Sequence, residues 1–502
     1  MQIINAGCFT AGCLLLTGCI NTPKEEKKTP NIIFILSDDL CWGDIGCFGQ
    51  QKIKTPNIDR IASEGIKFTQ AYCGNAVSAP SRSCLMTGLH PGHTRVRDNS
   101  YKDYRESLQP GDFTVARMLK QAGYKTGLYG KWGLANHDQP GVPNNMGFDE
   151  FFGYLNQQHA HNYYPEFLYY NKERVYYPEN GEHFKKENYS QPSPYDENGL
   201  CLPIAIPDPS KAKYAFDVYA EKSLEFVRAN KDNPFFLYLA YTIPHGKIIV
   251  PDLGIYKDED WAIQHKEWAA MITRMDTEVG KLLALLKELN LDENTVIFFA
   301  ADNGNSSGND SEYLKLKPGP TINEFFNNAS PTRGDKGDSY DGAFHVPALA
   351  RWPGKIKPGQ VSDHIWAFWD FLPTAGEIAG IKPPENIDGI SILPTLLGND
   401  KQKQHEYLYW EYKQTQSVRS GKWFARKGSG QQTELYDLIS DPQQSDDISS
   451  QFPDITKKME EIMAKSHTPS DVWPSPGETQ KEFAQRLKEK NIPERPVNIS
   501  EY

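Results

Sequence analysis

Short unbroken apolar runs alternate with segments of helical period along most of the chain. Asn31–Leu36 is such a run. It predicts a strand buried on both faces, and it stops abruptly at Ser37-Asp38-Asp39. Thr55–Gly65 predicts a helix, with Pro56 near its start and Gly65 at its end. A second strand is expected over Ile66–Ala71. Thr114–Ala122 then reads as a helix closed by Gly123, and Tyr124–Tyr129 as a strand leading into Gly130-Lys131. The rhythm continues with helix Tyr214–Ala229, strand Phe235–Tyr241 running to Pro244-His245, long helix Trp261–Asn290, and strand Thr295–Ala300 running to Asp302-Asn303.

Strands that alternate with helices predict an α/β fold, a mostly parallel sheet sandwiched by helices. The chemically capable residues fall just past the strand ends. In open α/β sheets that carboxyl edge is where sites form, so one site assembled from distant segments is expected. Beyond residue 394 the pieces shorten. Tyr407–Tyr412, Gln416–Arg419, Trp423–Arg426 and Glu434–Leu438 read as strands and Pro453–Lys465 as a helix, a smaller antiparallel-sheet subdomain. Two stretches, Asn136–Gln191 and Asn303–Arg333, read as long shaping loops.

The start of the chain changes the organisation. Ala6–Leu16 is apolar but too short to span a bilayer. It ends in Leu16-Thr17-Gly18-Cys19, which resembles a bacterial lipobox, although no Lys or Arg precedes the apolar run. The expected organisation is a signal peptide over 1–18, a charged tether over 19–30, a catalytic domain over 31–394 and the C-terminal subdomain over 395–502. Cys19 would carry lipid. The protein would be exported and membrane-anchored, periplasmic or on the surface of a Gram-negative-type bacterium. Five cysteines lie beyond this segment (Cys41, Cys47, Cys73, Cys84 and Cys201), an odd number that excludes a complete disulfide framework. The net charge of -11 argues against nucleic acid as a partner, yet leaves room for a local basic pocket.

The most specific segment is Ser78-Ala79-Pro80-Ser81-Arg82-Ser83-Cys84-Leu85-Met86-Thr87-Gly88. It resembles the signature of type I, formylglycine-dependent sulfatases: Cys or Ser, any residue, Pro, Ser, Arg, two of any, Leu, any, Thr or Ser, Gly. Thr55-Pro56-Asn57-Ile58-Asp59, Gly130-Lys131-Trp132, Pro244-His245, Arg333-Gly334-Asp335-Lys336-Gly337 and Val346-Pro347 resemble further family segments in the family's order. The resemblance spans Asn31 to Trp410 and implies an alkaline-phosphatase-like fold. It implies that Ser78 is oxidised to formylglycine by a sulfatase-maturing enzyme, with one hydroxyl of the hydrated aldehyde attacking sulfur and the other expelling it. It further implies one Ca²⁺ held by Asp38, Asp39, Asp302, Asn303 and residue 78. Arg82 and Lys131 would bind sulfate, and His245 and Lys336 would serve the leaving oxygen. Three carboxylates and an amide are independently a hard-oxygen set suited to Ca²⁺. Two segments depart: many members read Gly-Lys-Trp-His, and here the last is Gly133, with His137, His90 and His93 the nearby histidines; and Tyr340-Asp341-Gly342-Ala343-Phe344-His345 stands where many members have Glu-Gly-Gly and then Arg before Val-Pro.

Specificity is expected from loops. Gly92–Asn99 offers His93, Arg95, Arg97 and Asn99; Gln157–Tyr164 offers His161; Tyr340–His345 offers His345. Polar groups beside aromatic faces suit sugars. The expected activity is exo-acting hydrolysis of sulfate esters on galactose or N-acetylgalactosamine of host or algal glycans. Two alternatives compete: a phosphoesterase or phosphonate hydrolase of the same superfamily, and a non-catalytic glycan-binding lipoprotein.

Overall fold

The computed structural model describes residues 29–99, 106–181, 210–246, 248–306 and 319–492. The export segment, Cys19, most of the tether and Cys201 lie outside the described residues.

The amino-terminal half supplies β1 (Asn31–Asp38), α1 (Pro56–Ser63), β2 (Ile66–Phe68), β3 (Ala71–Tyr72), α2 (Ser78–Thr87), α3 (Val115–Gln121), β4 (Lys125–Lys131), β5 (Glu150–Tyr154), β6 (Phe167–Tyr170) and β7 (Glu173–Tyr176). Then come α4 (Ala215–Ala229), β8 (Phe235–Pro244), α5 (Ile263–Glu288), β9 (Thr295–Ala301), β10 (Ala348–Arg351), β11 (Gln360–Ser362), β12 (Trp366–Ala367) and α6 (Phe371–Ala379). The remainder holds β13 (Leu408–Tyr412), β14 (Thr415–Ser420), β15 (Trp423–Lys427), β16 (Glu434–Asp437), α7 (Pro453–Ser466) and α8 (Gln480–Glu489).

Among the described residues, ten strands form one mixed sheet in the order β11-β2-β10-β9-β1-β8-β4-β5-β6-β7. Its centre, β9-β1-β8-β4-β5, is parallel. These strands are buried on both faces, which is why they read as continuous apolar runs; Ile32 to Leu36 are wholly inaccessible. Each such side chain contributes roughly 1.5–3 kcal/mol by leaving water. Helix α5 packs with α1 and with α4 on the sheet, and α6 packs with α2 and α3. Phe34 of β1 meets Phe371 of α6 edge-on at 4.6 Å.

Three expectations needed correction. Residues 136–191 are not one long loop: β5, β6 and β7 lie there and extend the sheet at one edge. Residues 303–333 contain a capped helical turn, Ile322–Phe326. The run from Ile66 to Ala71 divides, with β2 in the large sheet and β3 pairing with β12 in a second, two-stranded one. Strand β10, antiparallel to both β2 and β9, was not expected.

The antiparallel C-terminal sheet has the order β13-β14-β15-β16. It is buried on both faces: Leu408, Trp410, Phe424 and Tyr436 join the main core, and Tyr409, Val418, Ala425 and Leu435 pack with Met459, Ile462 and Met463 of α7. Cys41, Cys47, Cys73 and Cys84 are free thiols.

The segment Thr55–Asp59 has a structural role. Asp276 of α5 accepts hydrogen bonds from the backbone N–H groups of Asn57 and Ile58 at 2.8 Å each and from Asn57 Nδ2 at 2.8 Å. The carboxylate thus satisfies the orphan donors that open α1. Asp276→Ala is expected to lower unfolding stability by about 2–3 kcal/mol, since each buried unpaired N–H costs roughly 1–3. Chemical denaturation checks this, and an unchanged midpoint would remove the capping role.

Candidate active site

Four neighbouring parallel strands end at the same edge. β9 delivers Asp302 and Asn303, β1 delivers Asp38 and Asp39, β8 delivers His245 and β4 delivers Lys131. Ser37 pairs with Ala301 and Asp38 with Pro244, so these ends are level. Strands lie about 5 Å apart, so residues separated by up to 264 positions become neighbours. Gly130 makes the last step possible: at φ 110° a Cβ there would meet Ala240 O at 2.0 Å.

Residue 39 turns the chain with φ 63°, a left-handed conformation that costs a non-glycine residue on the order of 1 kcal/mol or more. The turn keeps both Asp38 and Asp39 buried, and Asp39 N–H donates to Asp302 Oδ1 at 3.2 Å.

Ser78 opens α2, and every residue of this helix is buried. Pro80 fits the first turn, where N–H groups lack helical acceptors. The Ser81 hydroxyl accepts from Gly74 N–H at 3.0 Å, and Gly88 ends the helix in a left-handed conformation. The Ser78 hydroxyl lies 2.5 Å from Asp302 Oδ2, 3.1 Å from Asp38 Oδ1 and 3.2 Å from Lys131 Nζ. One helical turn on, Arg82 is fully buried; its guanidinium donates to Asp302 Oδ2 at 3.0 Å and to the Lys131 carbonyl at 2.9 Å.

Lys131 Nζ bonds Asp38 Oδ2 at 2.6 Å. Lys336 Nζ bonds both oxygens of Asp39 at 2.7 Å, and its own N–H is tied to Asn305 O. Burial alone would raise the Asp38 carboxyl, but Lys131, His245 and Arg82 outweigh it and hold it at about 2. Burial likewise would lower Lys336, yet Asp39, Asp38 and Asp302 raise it above the ordinary lysine value, so it stays protonated. His245 is pushed below the ordinary histidine value by burial and by the Lys336 charge. Its Nε2 stands 3.6 Å from Asp39 Oδ2, its ring stacks on His161 at 4.5 Å, and the Tyr163 hydroxyl donates to its carbonyl.

Asn303 Nδ2 donates to Asp39 Oδ1 at 2.9 Å, while its buried Oδ1 has no hydrogen-bond partner among the described residues. Ligand atoms of Asp38, Asp39 and His245 lie within 4.8 Å of one another. Three carboxylates and an unpaired amide oxygen form an oxygen-rich set that fits a hard divalent cation.

All the residues expected to be catalytic or metal-binding therefore meet at one place. The expected sugar contacts divide. His161 reaches the site through His245, and Asn99 reaches it by accepting Ala79 N–H at 2.9 Å. Others are held elsewhere. Arg97 spends its guanidinium on Glu411 at 2.7 Å and on the Thr94 and Gly92 carbonyls. Arg95 pairs with Asp112 at 2.7 Å and His93 with Asp388 at 2.9 Å. His345 is buried against Tyr72 and bonded to Thr69 O at 2.9 Å, so it is a core residue.

The departure at Gly133 has a spatial counterpart. Gln157 Nε2 donates to Gly133 O at 2.7 Å and would lie 2.9 Å from a Cβ at 133. A side chain there would have to displace Gln157. Nothing in the sequence around 157 announces this. His137 stacks on Tyr169, and His90 and His93 are tied to Asp388.

Comparison with known proteins agrees with this geometry. A profile of the sulfatase family matches residues 30–381, and one described as N-sulphoglucosamine sulphohydrolase, C-terminal, matches 334–468. The chain is similar to N-acetylgalactosamine-6-sulfatase of Canis lupus familiaris, 30% identical over 407 residues that cover 76% of this chain and 69% of that one. It is similar to N-acetylgalactosamine-6-O-sulfatase of Bacteroides thetaiotaomicron, 26% identical over 91% of this chain and 98% of the other. Among solved structures it resembles Ps i-CgsB in complex with k-i-k-neocarrahexaose, with TM-score 0.71, 26% identity, and coverage of 94% and 100%. With the family profile matching most of the chain and the buried Ser78 cluster in the place the signature requires, the chain belongs to the sulfatase family and is a sulfuric ester hydrolase.

Proposed function

We propose that this sulfatase removes sulfate esters from carbohydrates, acting in exo fashion on sulfated galactose or N-acetylgalactosamine of host or algal glycans. The similarity to galactosamine sulfatases supports the sugar class. The observation that carries the chemistry is the Ser78 hydroxyl, buried among Asp38, Asp302 and Lys131. An unmodified serine there would form a stable sulfate ester. Formylglycine made from Ser78 by a sulfatase-maturing enzyme supplies a hydrated aldehyde, one hydroxyl to take the sulfuryl group and one to expel it.

Asp38, Asp39, Asp302 and Asn303 would hold Ca²⁺, the hard cation this oxygen set suits. Bound there, the cation would act as a Lewis acid toward the sulfate oxygens and the oxygen of residue 78. Arg82 orients Asp302 and adds positive charge beneath residue 78. Lys131 holds its ammonium on the residue 78 oxygen. Lys336, protonated and partly open to the site, gives a proton or a hydrogen bond to the departing sugar oxygen, where charge develops. His245, whose Nε2 stands beside Asp39, would bind the same departing oxygen next to Lys336. The lipobox-like segment ending at Cys19 supports an exported, lipid-anchored protein, periplasmic or at the cell surface.

In protein made with a Ser-type maturase, mass spectrometry of the peptide containing Ser78 is expected to show a loss of two hydrogens at that residue. Ser78→Ala is expected to abolish turnover of sulfated N-acetylgalactosamine while the thermal midpoint holds; appreciable residual hydrolysis would remove the nucleophile.

Lys336→Met is expected to cut kcat for a sulfated sugar by about 10²–10⁴-fold, the usual scale of acid assistance. The loss should be far smaller for 4-nitrophenyl sulfate, whose leaving phenolate needs little protonation. Equal losses on both would deny Lys336 the acid role.

Chelation is expected to lower turnover at least tenfold, with recovery on adding Ca²⁺. Full activity in a metal-free sample, verified by elemental analysis, would refute the cation.

A further inference from the structure

Helix α2 carries Ser78 at its start, and a second group of ligand-type side chains gathers at its other end. The helix has ten residues, so about 15 Å separates the two ends. His90 and His93 follow Gly88, which closes α2, and Asp388 comes from the segment after α6. The backbone fixes these two segments against each other. Gly88 O accepts Asp388 N–H at 2.9 Å and Gly389 N–H at 3.2 Å, and Asp388 Oδ2 accepts His90 N–H at 2.9 Å. The N–H groups of His93 and Thr94 both return to His90 O, at 2.9 and 3.0 Å, and this turn brings the two histidine rings together. They stack at 4.1 Å, 25° from parallel.

Both rings converge on one carboxylate oxygen. His93 Nδ1 lies 2.9 Å from Asp388 Oδ1, and His90 Nε2 lies 3.8 Å from it. One ligand atom from each of the three residues falls within 4.8 Å of the others. Zinc bonds of about 2.0–2.2 Å in a tetrahedron set ligand atoms roughly 3.3 Å apart, a spacing that 2.9 and 3.8 Å bracket. Two imidazolium cations stacked this closely beside a single carboxylate would repel, and burial adds to that cost, so at least one ring is neutral and offers a lone pair. His90 is 6% exposed and packs against Tyr409 and Trp369, whereas His93 lines a cavity of about 400 Å³. The cavity gives an ion a way in and leaves room for water as a fourth ligand.

We propose that His90 Nε2, His93 Nδ1 and Asp388 Oδ1 form a second metal site, for Zn²⁺ or a similar late first-row divalent ion, which staples the exit of α2 to the segment after α6. Two imidazoles and one carboxylate with an open position suit Zn²⁺, whereas Ca²⁺ favours an all-oxygen set such as the one around Ser78. Asp388 Oδ2 stays on His90 N–H and so orients the ligating oxygen. Two hydrogen bonds are exchanged for metal bonds. One is the His93–Asp388 bond; the other runs from Gly92 N–H to His90 Nδ1 at 3.2 Å, because a ring that ligates through Nε2 carries its proton on Nδ1.

The test is calorimetric titration of the full chain with ZnCl₂ in the presence of excess Ca²⁺, which occupies the carboxylates around Ser78. Wild type is compared with His93→Ala and with His90→Asn, whose amide oxygen can still accept Gly92 N–H. Each variant is expected to weaken Zn²⁺ binding at least tenfold. Zn²⁺ is expected to raise the thermal midpoint of wild type and to leave the midpoint of each variant unchanged.

Co²⁺ supplies a spectroscopic check on the ligand set. Wild type loaded with Co²⁺ is expected to show the intense visible absorption of a four-coordinate ion, and both variants to lose it. Absent Zn²⁺ binding to wild type overturns the site. Binding that is unchanged in either variant also overturns it, since the ion then sits elsewhere, at the Ser78 cluster or on the surface. None of these readouts depends on turnover, so sulfate hydrolysis stands whichever result is found.

Discussion

Three carboxylates buried at the ends of two adjacent strands set the terms for this molecule. Asp38, Asp39 and Asp302 are all but inaccessible, and Asp38 and Asp302 both meet the Ser78 hydroxyl. Like charges removed from water at this density repel one another, and each costs several kcal/mol unless paired and hydrogen-bonded. The chain answers with Lys131 on Asp38, Lys336 on Asp39 and Arg82 on Asp302. Each cation therefore has a double task, making the acid cluster tolerable and presenting positive charge where an anionic group must bind. Removing any one would take a buried carboxylate's nearest counter-charge away, so stability and chemistry here depend on the same contacts.

The scaffold makes the cluster possible by leaving little freedom at the sheet edge. Parallel strands place successive carboxyl ends side by side, and the tight packing of β1 between β8 and β9 fixes their level. The left-handed turn at Asp39 and the close approach at Gly130 are local strains or exclusions that this edge requires. Away from it, apparent functional residues prove structural. His345, expected to meet sugar, lies in the core.

The C-terminal sheet is not an appendage. One face completes the main core and the other is closed by α7, so neither face is free. Trp410 Nε1 donates to the Cys73 carbonyl at 3.1 Å, and Ser417 Oγ donates to the Ser339 carbonyl at 2.7 Å. The sheet thus braces the segments that lead to Ser78 and away from Lys336.

Much was legible in the sequence for a physical reason. Buried parallel strands must be continuous apolar runs, and polar residues at their ends stand out against them; this exposed Asp38, Asp39, Lys131, His245, Asp302 and Asn303. The spacing of Ser78 and Arg82 marks one helical turn. Strands β5 to β7 and β10 were not legible. Nor could the sequence tell a guanidinium that faces a ligand from one that faces a buried glutamate, as with Arg97 and Glu411, 314 positions apart. The same holds for Gln157, which closes the space beside Gly133. Local pattern determines which segments become strands and which side chains sit at their ends. Only tertiary structure decides what those side chains meet, because each partner is brought in by a distant segment whose position depends on the packing of the whole sheet.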